Sequence, residues 1–180
     1  MIRNQPPRFE DLIIPNATLP SMVLRRSFDK YLFFDADMGS SVEIIAAIRD
    51  VISQCFNGES EALIFNSRRG SLLARLAANA DWSLEVSRVG KAMRNAGDSD
   101  GLALVDTKGR WVAYQYWPVD IGIFALTCQA DLATIPELKD NFFDKADVAN
   151  WLCGQSPRDT ELTQSLGAGF LAKLLQYYST

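Results

Sequence analysis

The sequence predicts one α/β or α+β domain, in which helices cover a mixed β-sheet. Two observations support this class. Short apolar runs of strand length alternate with amphipathic segments of helix length. The chain has 180 residues, 48% of them apolar, which is enough to bury one core of ordinary size. Four of the seven prolines lie in residues 1–27, so we expect an extended proline-rich arm there and a single globular domain over residues 28–180.

The domain is predicted to open with a strand, a helix and a second strand. Residues 31–35 form a short apolar run, and residues 44–56 carry apolar side chains at helical spacing. Ser40 or Ser41 is expected to cap this helix, because a serine hydroxyl accepts a hydrogen bond from a free amide of the first turn. Residues 62–66 form the second strand. Such a unit usually makes a right-handed crossover between parallel strands, so we expect a parallel opening.

The middle of the chain is predicted to contain a helix over residues 71–79 and, over residues 82–96, a short strand followed by a helical turn. Residues 102–127 read as an antiparallel hairpin and meander. The first turn of that meander is Asp-Thr-Lys-Gly, and we expect Gly109 to take the left-handed conformation that such a turn requires.

The chain is predicted to end in helices. Asp144 is expected to cap the first of them and Gly154 to end it. Thr160 is then expected to cap one continuous helix over residues 161–178, where leucines and aromatic residues form a single apolar stripe.

The three cysteines, Cys55, Cys128 and Cys153, are too widely spaced for a CxxC metal site and are odd in number. They lie in apolar stretches, so we expect buried, reduced thiols. No run resembles a signal peptide or a membrane span. These observations together predict a cytoplasmic protein.

Composition excludes several kinds of chemistry. The chain contains no histidine, so histidine-dependent catalytic triads and HExxH zinc sites are ruled out. Neither a GxxxxGK[ST] loop nor a GxGxxG motif after a strand is present. The sequence therefore predicts no cofactor. A formal net charge of −4 argues against nucleic acid or an anionic membrane as the partner.

Two aspartates, Asp35 and Asp37, end the first predicted strand in an Asp-x-Asp pattern. This pattern resembles the haloacid-dehalogenase-like phosphatases, in which the first aspartate attacks phosphorus and the second is the acid/base beside a magnesium ion. The resemblance implies that the remaining motifs come from Ser67, Lys91, Asp98 and Asp100. The alternative is that both aspartates occupy a strand-to-helix turn and accept hydrogen bonds from backbone amides.

A second acidic pattern is Asp106 and Lys108, at the end of a predicted strand. It is similar to the (D/E)xK end of restriction-endonuclease-like nucleases, in which acid and lysine flank a metal-bound water. The same residues also suit a tight hairpin turn, where aspartate bonds the backbone and lysine is solvated.

Charge and elimination favour a non-enzymatic protein that binds a basic protein partner, such as an immunity protein that neutralises a toxin nuclease. From Pro118 onward, eight acids face four bases, and such an excess steers a basic partner. Tryptophan often anchors protein interfaces. The candidate contact residues are therefore Trp117, Asp120, Asp140, Asp147 and Trp151. Two alternatives stay open: a magnesium-dependent phosphatase or nuclease that uses Asp35 and Asp37 or Asp106 and Lys108, and a small-ligand regulatory domain.

Overall fold

The computed structural model describes residues 6–57, 60–132, 135 and 138–178. Its centre is a six-stranded sheet in the order β1-β6-β5-β4-β2-β3, with every neighbouring pair antiparallel. The strands are β1 (Lys30–Phe34), β2 (Ala62–Asn66), β3 (Leu72–Leu76), β4 (Leu102–Asp106), β5 (Trp111–Gln115) and β6 (Gly122–Leu126).

The predicted parallel opening is wrong, and the fold is α+β. Four antiparallel pairings separate β1 from β2, so the two strands run in the same direction, but β6, β5 and β4 lie between them. The meander over residues 102–127 is antiparallel, as predicted. It occupies the centre of the sheet and takes the place that a parallel β1–β2 pair would have had.

The helices are α1 (Phe9–Leu12), α2 (Val42–Phe56), α3 (Trp82–Asn95), α4 (Leu138–Asn141), α5 (Lys145–Cys153), α6 (Pro157–Leu166) and α7 (Ala168–Tyr177). Two predicted caps are confirmed. The Ser41 hydroxyl accepts from the Ile44 amide at 3.3 Å, and Asp144 accepts from two amides of α5. Gly154 ends α5 in the left-handed conformation.

Two predicted elements in the middle of the chain have the wrong type. Residues 71–79 contain the edge strand β3 instead of a helix, because this segment pairs with β2. Residues 82–96 form the continuous helix α3, whose first turn is capped by Asp81 through a 3.0 Å bond from the Leu84 amide. Pairing with a neighbouring strand outweighed the high helix propensity of leucine, alanine and arginine in β3.

The predicted single helix over residues 161–178 is two helices. The first starts earlier, at Pro157, and Ser156 caps it in place of Thr160. It ends at Gly167, whose φ of 86° interrupts the helix before α7 begins.

Both faces of the sheet are covered. On β1, Leu32 and Phe34 point into one buried cluster and Phe33 into the other. The first cluster packs against α2 and α3, and the second against α5, α7 and the residues before β1. Burial on both faces explains why the strands read as continuous apolar runs instead of alternating ones.

The described part of the predicted arm, residues 6–27, packs on the second face of the sheet and buries several apolar side chains. Ile13 makes an isolated antiparallel bridge with Leu24. The Tyr178 hydroxyl holds this segment from the other side: it accepts from the Val23 amide at 2.8 Å and donates to the Ser21 carbonyl at 2.7 Å. Residues 1–5 of the arm lie outside the described residues.

The prediction of three buried, reduced thiols is wrong. Cys55, near the end of α2, forms a disulfide with Cys128, just after β6, and their Cα atoms are 5.7 Å apart. Cys153 is a free thiol but is exposed at the end of α5. Among the described residues, no helix is long and apolar enough to cross a membrane.

Gly109 occupies the predicted left-handed position in the β4–β5 hairpin, with a φ of 71°. A Cβ atom there would meet nothing closer than 3.8 Å, so the cost of substitution is conformational and not steric. We expect Gly109→Ala to lower the free energy of unfolding by about 1 kcal/mol. Urea denaturation measures it. Lys108→Ala, one residue earlier and exposed, is the matched control and should change little; equal losses in both variants would contradict this account of the turn.

Candidate functional site

An open cleft of about 510 Å³ lies at the end of the sheet where β1 and β5 finish. We call it the strand-tip cleft. Only β6 separates β1 from β5, so the segments that follow these two strands meet at the same edge. The end of α3 and the residues after it close the cleft. Its lining is Asp35, Asp37, Arg94, Gly97, Asp98, Ser99, Gln115, Trp117 and Asp120.

Asp37 holds the turn between β1 and α2. Its Oδ1 accepts from the Gly39 amide at 2.8 Å, and its Oδ2 accepts from the Ser40 hydroxyl at 2.7 Å and from the Arg94 guanidinium. This is the turn-capping role that the sequence offered as the alternative to catalysis. Asp35 differs, because its side chain is exposed and accepts none of these turn bonds.

Gln115 fixes the same turn from beneath. It is the last residue of β5 and only 2% exposed. Its Oε1 accepts from the Met38 amide at 2.8 Å, and its Nε2 donates to the Ala36 carbonyl at 3.1 Å. A buried amide with both ends bonded ties the loop after β1 to the middle of the sheet. The floor of the cleft is therefore pre-formed.

Trp117 and Arg94 contact each other in the lining of the cleft. The guanidinium carbon of Arg94 lies 4.2 Å from the Trp117 ring centroid, a cation–π distance, while the guanidinium also pairs with Asp37. Gly39 allows this approach, since a Cβ atom there would come within 2.8 Å of the indole. The indole N–H of Trp117 is buried and has no hydrogen-bond acceptor among the described residues.

Asp98 and Asp100 bind the loop between β2 and β3. Arg69 forms ion pairs with both carboxylates, and Asn66 donates to them at 3.0 and 3.3 Å. Arg68, beside them, lies over the Tyr116 ring at 5.3 Å. These charges are largely satisfied by one another.

Asp35 and Asp120 are the two acids of the cleft that remain uncompensated. Both are exposed, and neither forms an ion pair with any residue that the structure describes. The cleft is lined by four aspartates and one arginine. Its field is therefore negative and favours a cation.

Asp106 and Lys108 lie at the opposite end of the sheet and do not converge on a common site. Asp106 is fully buried and accepts two bonds from the Arg110 guanidinium, at 2.8 and 2.9 Å, and one from the Ser60 hydroxyl at 2.9 Å. Burial by itself raises the pKa of Asp106, but the bonds and charge of Arg110, together with Ser60, outweigh it and leave the pKa below its usual value. Lys108 is exposed on the turn.

The other predicted contact residues lie away from the strand-tip cleft. Asp147 and Trp151 line a second cleft of about 690 Å³ between β1 and α5. There Asp147 accepts from the Asp144 amide at 2.9 Å as part of the helix cap. The Trp151 ring packs 4.8 Å from the Phe143 ring. Asp140 is exposed on α4 and lines neither cleft. The five candidate contact residues are thus divided between separate surfaces.

The side chains of the strand-tip cleft suit an organic cation better than a metal ion. Within the described residues, no group of three or more acidic or cysteine side chains is placed to hold a metal ion. Both oxygens of Asp37 are already engaged in the turn. An organic cation needs only the exposed carboxylates and an aromatic surface, and the cleft supplies both.

Four residues of the cleft were not predicted from the sequence: Arg94, Gly97, Ser99 and Gln115. A glutamine on the buried side of an otherwise apolar strand was the available signal for Gln115, because such a group must find partners. Arg94 carried no signal, since it is one of several basic residues on a helix face. In comparisons with known proteins, no family model, no curated protein and no solved structure matches this chain.

Proposed function

We propose that the protein is a non-enzymatic binding domain for a basic protein and that the strand-tip cleft is its principal contact surface. The observation that carries this proposal is the pair of uncompensated acids, Asp35 and Asp120, in an open cleft beside Trp117. Acidic side chains steer a basic partner during encounter, and a tryptophan provides the apolar contact that prolongs the complex. An inhibitor or immunity protein that neutralises a basic toxin works in this way.

The proposal expects no nucleic-acid or membrane partner, in keeping with the net charge of −4. A cytoplasmic location stays a prediction. Reduced cysteines no longer support this location, because Cys55 and Cys128 form a disulfide and structural disulfides are rare in the cytosol. Alkylation of free thiols in a fresh cell extract, followed by mass spectrometry, would show the state of this pair where the protein works.

Binding kinetics over a salt series test the proposal, with the partner first isolated from native lysate at low salt. We expect association to slow markedly as ionic strength rises, because salt screens the charges that steer encounter. Asp120→Lys should lower the association rate more than it raises the dissociation rate. Trp117→Leu should do the opposite, since the lifetime of a complex depends on a few buried apolar contacts.

Two further variants locate the contact surface. Glu61→Lys makes the same charge change at the opposite end of the sheet and should alter association much less than Asp120→Lys. Asp140→Lys makes it on α4, outside both clefts. If Asp140→Lys or Glu61→Lys had the larger effect, the partner would not bind at the strand-tip cleft. An association rate that changes neither with salt concentration nor on charge reversal would contradict the proposal.

A small-ligand regulatory domain is the second candidate. It is favoured by the volume of the strand-tip cleft, about 510 Å³, which falls in the range of roughly 300–1,000 Å³ that is usual for small-ligand pockets. The charge of the lining restricts such a ligand to a cation. Recovery of a small basic molecule, and of no protein, with protein purified from native lysate would favour this candidate over the first.

A further inference from the structure

The strand-tip cleft already holds one guanidinium group, that of its own Arg94. The planar group lies over the face of Trp117 at 4.2 Å and pairs with the Asp37 carboxylate. An aromatic face on one side and a carboxylate at the edge are the two contacts that a guanidinium makes better than an ammonium, because it is planar and only weakly hydrated. The contacts of Arg94 thus show that Trp117 and Asp37 can bind a guanidinium group.

The internal guanidinium is held weakly. The Arg94 and Asp37 side chains are 39% and 40% exposed, and an exposed ion pair adds little to stability because water and salt screen it. The second contact of Arg94, to the Gly39 carbonyl, is long at 3.4 Å. Arg94 can leave this position at small cost.

An external guanidinium in this cavity would bring a positive charge to two acids that Arg94 leaves uncompensated. Asp35 and Asp120 line the same cavity and have no ion pair within the described residues. The cavity, about 510 Å³, also has room for the chain that carries the incoming group. Replacement of Arg94 thus exchanges one guanidinium for another and adds charge compensation.

We infer that the strand-tip cleft is a guanidinium receptor, in which an arginine side chain of the basic partner displaces Arg94 from Trp117. Arg94 is then an internal competitor that occupies the site until the partner arrives. This inference rests on the proposed function for the source of the arginine, but the chemistry is the same for a free alkylguanidine. Lysine, an ammonium without a planar face, is the disfavoured alternative.

The test titrates the intact protein with N-acetyl-arginine amide and with N-acetyl-lysine amide and follows the Trp117 indole N–H by NMR. Trp117→Phe assigns that signal among those of the four tryptophans. We expect the arginine probe to shift the Trp117 signal and to bind at least about fivefold more tightly than the lysine probe, because only a planar guanidinium can stack on the indole face. Equal binding of the two probes, or a shift confined to other tryptophans, would overturn the inference.

The role of Arg94 is tested by Arg94→Gln and a matched control, Arg88→Gln. Arg88 lies on the same helix, pairs with Glu85 and is not part of the lining, so its variant makes the same charge change away from the cleft. Arg94→Gln should tighten the arginine probe at least about fivefold more than Arg88→Gln does, because removing a competitor raises the apparent affinity. Equal effects, or weaker binding in Arg94→Gln with an unchanged melting temperature, would contradict displacement.

The two proposals can fail separately. If a basic protein binds with the expected salt dependence and dissociates faster from Trp117→Leu, but binds Arg94→Gln and Arg88→Gln equally well, the guanidinium receptor is wrong and the proposed function stands. If the arginine probe binds as expected and no basic protein is recovered, the receptor stands, and its ligand is a free alkylguanidine. Peptides of alternating glycine and arginine distinguish an arginine side chain from a free alkylguanidine when their affinity is compared with that of the free arginine probe. Peptides of alternating glycine and lysine are the matched control.

Discussion

Arg110→Ala should lower the free energy of unfolding at neutral pH by about 3 kcal/mol, near the lower end of the range for a broken buried ion pair. The substitution leaves the Asp106 carboxylate buried without its charged partner. Asp106 has no exposed surface, whereas the Arg110 side chain keeps 25% exposure. Solvent therefore screens one side of the pair, which is why we expect the lower end of the range.

The reason for so large an effect is the number of bonds that converge on one carboxylate. Asp106 accepts four hydrogen bonds from the part of the chain that the structure describes. Two come from the Arg110 guanidinium, one from the Arg110 amide at 2.9 Å and one from the Ser60 hydroxyl. The Trp111 indole donates in turn to Ser60 at 2.9 Å. Removing Arg110 takes away three of the four donors to Asp106 if the amide shifts with the relaxed turn, and two if it stays.

The pH dependence follows from the lowered pKa of Asp106 in the folded protein. A carboxyl whose folded pKa lies below its unfolded value, about 4, stabilises the fold above that value, and this contribution is lost as the pH falls through the folded pKa. The native protein should therefore lose stability below about pH 4. In Arg110→Ala, burial dominates and raises the pKa of Asp106, so the same titration should destabilise the variant as the pH rises.

Chemical denaturation at several pH values measures both effects. Lys108→Ala is the control, because it removes a positive charge two residues from Asp106 without touching the network. A loss of less than about 1 kcal/mol in Arg110→Ala, the value typical of an exposed pair, would show that water reaches Asp106. Such a result would also reopen a chemical role for this aspartate.

Replacing both disulfide cysteines, as Cys55→Ala with Cys128→Ala, should lower the free energy of unfolding by about 2–4 kcal/mol. The disulfide joins residues 73 positions apart and so restricts the unfolded chain over a long loop. In the chain-entropy treatment, a loop of this length corresponds to about 4 kcal/mol, which is the upper end of that range.

Thermal unfolding with and without a dithiol reductant checks this expectation. The reduced protein should approach the double variant in stability, and the reductant should leave the double variant unchanged. Cys153→Ala is the matched control, since it removes an exposed thiol that forms no disulfide. A melting temperature that ignores the reductant would contradict a stabilising disulfide.

Elements with strong local signals were predicted well. Ser41 and the apolar spacing of α2 specify that helix within one segment, and the hairpin turn at Gly109 needs only its own four residues. The position of β1 was not predictable in this way. Helix α2 follows β1 directly, but the choice of β6 as its neighbour depends on residues about 90 positions later. Local sequence patterns indicate the type and direction of an element, but they do not indicate which strands become neighbours in the sheet.

The candidate site follows the same rule. Asp35 and Asp37 were selected from the sequence as an acidic pair, Trp117 as an aromatic contact and Asp120 for its charge, and only the strand order shows that they line one cleft. The disulfide between Cys55 and Cys128 was missed for a related reason, because a separation of 73 residues says nothing about distance in the fold. The spacing of residues along the sequence does not reveal contacts between residues that only the tertiary structure brings together.

The hydrogen bonds of Tyr178 make the order of synthesis matter. Ser21 and Val23 emerge from a ribosome more than 150 residues before the hydroxyl that binds their backbone. The N-terminal segment therefore cannot complete its contacts before Tyr178 emerges, and Leu19 and Leu24, which end up buried, stay available to chaperones in that interval. Final closure of this part of the molecule therefore waits until Tyr178 has been synthesised.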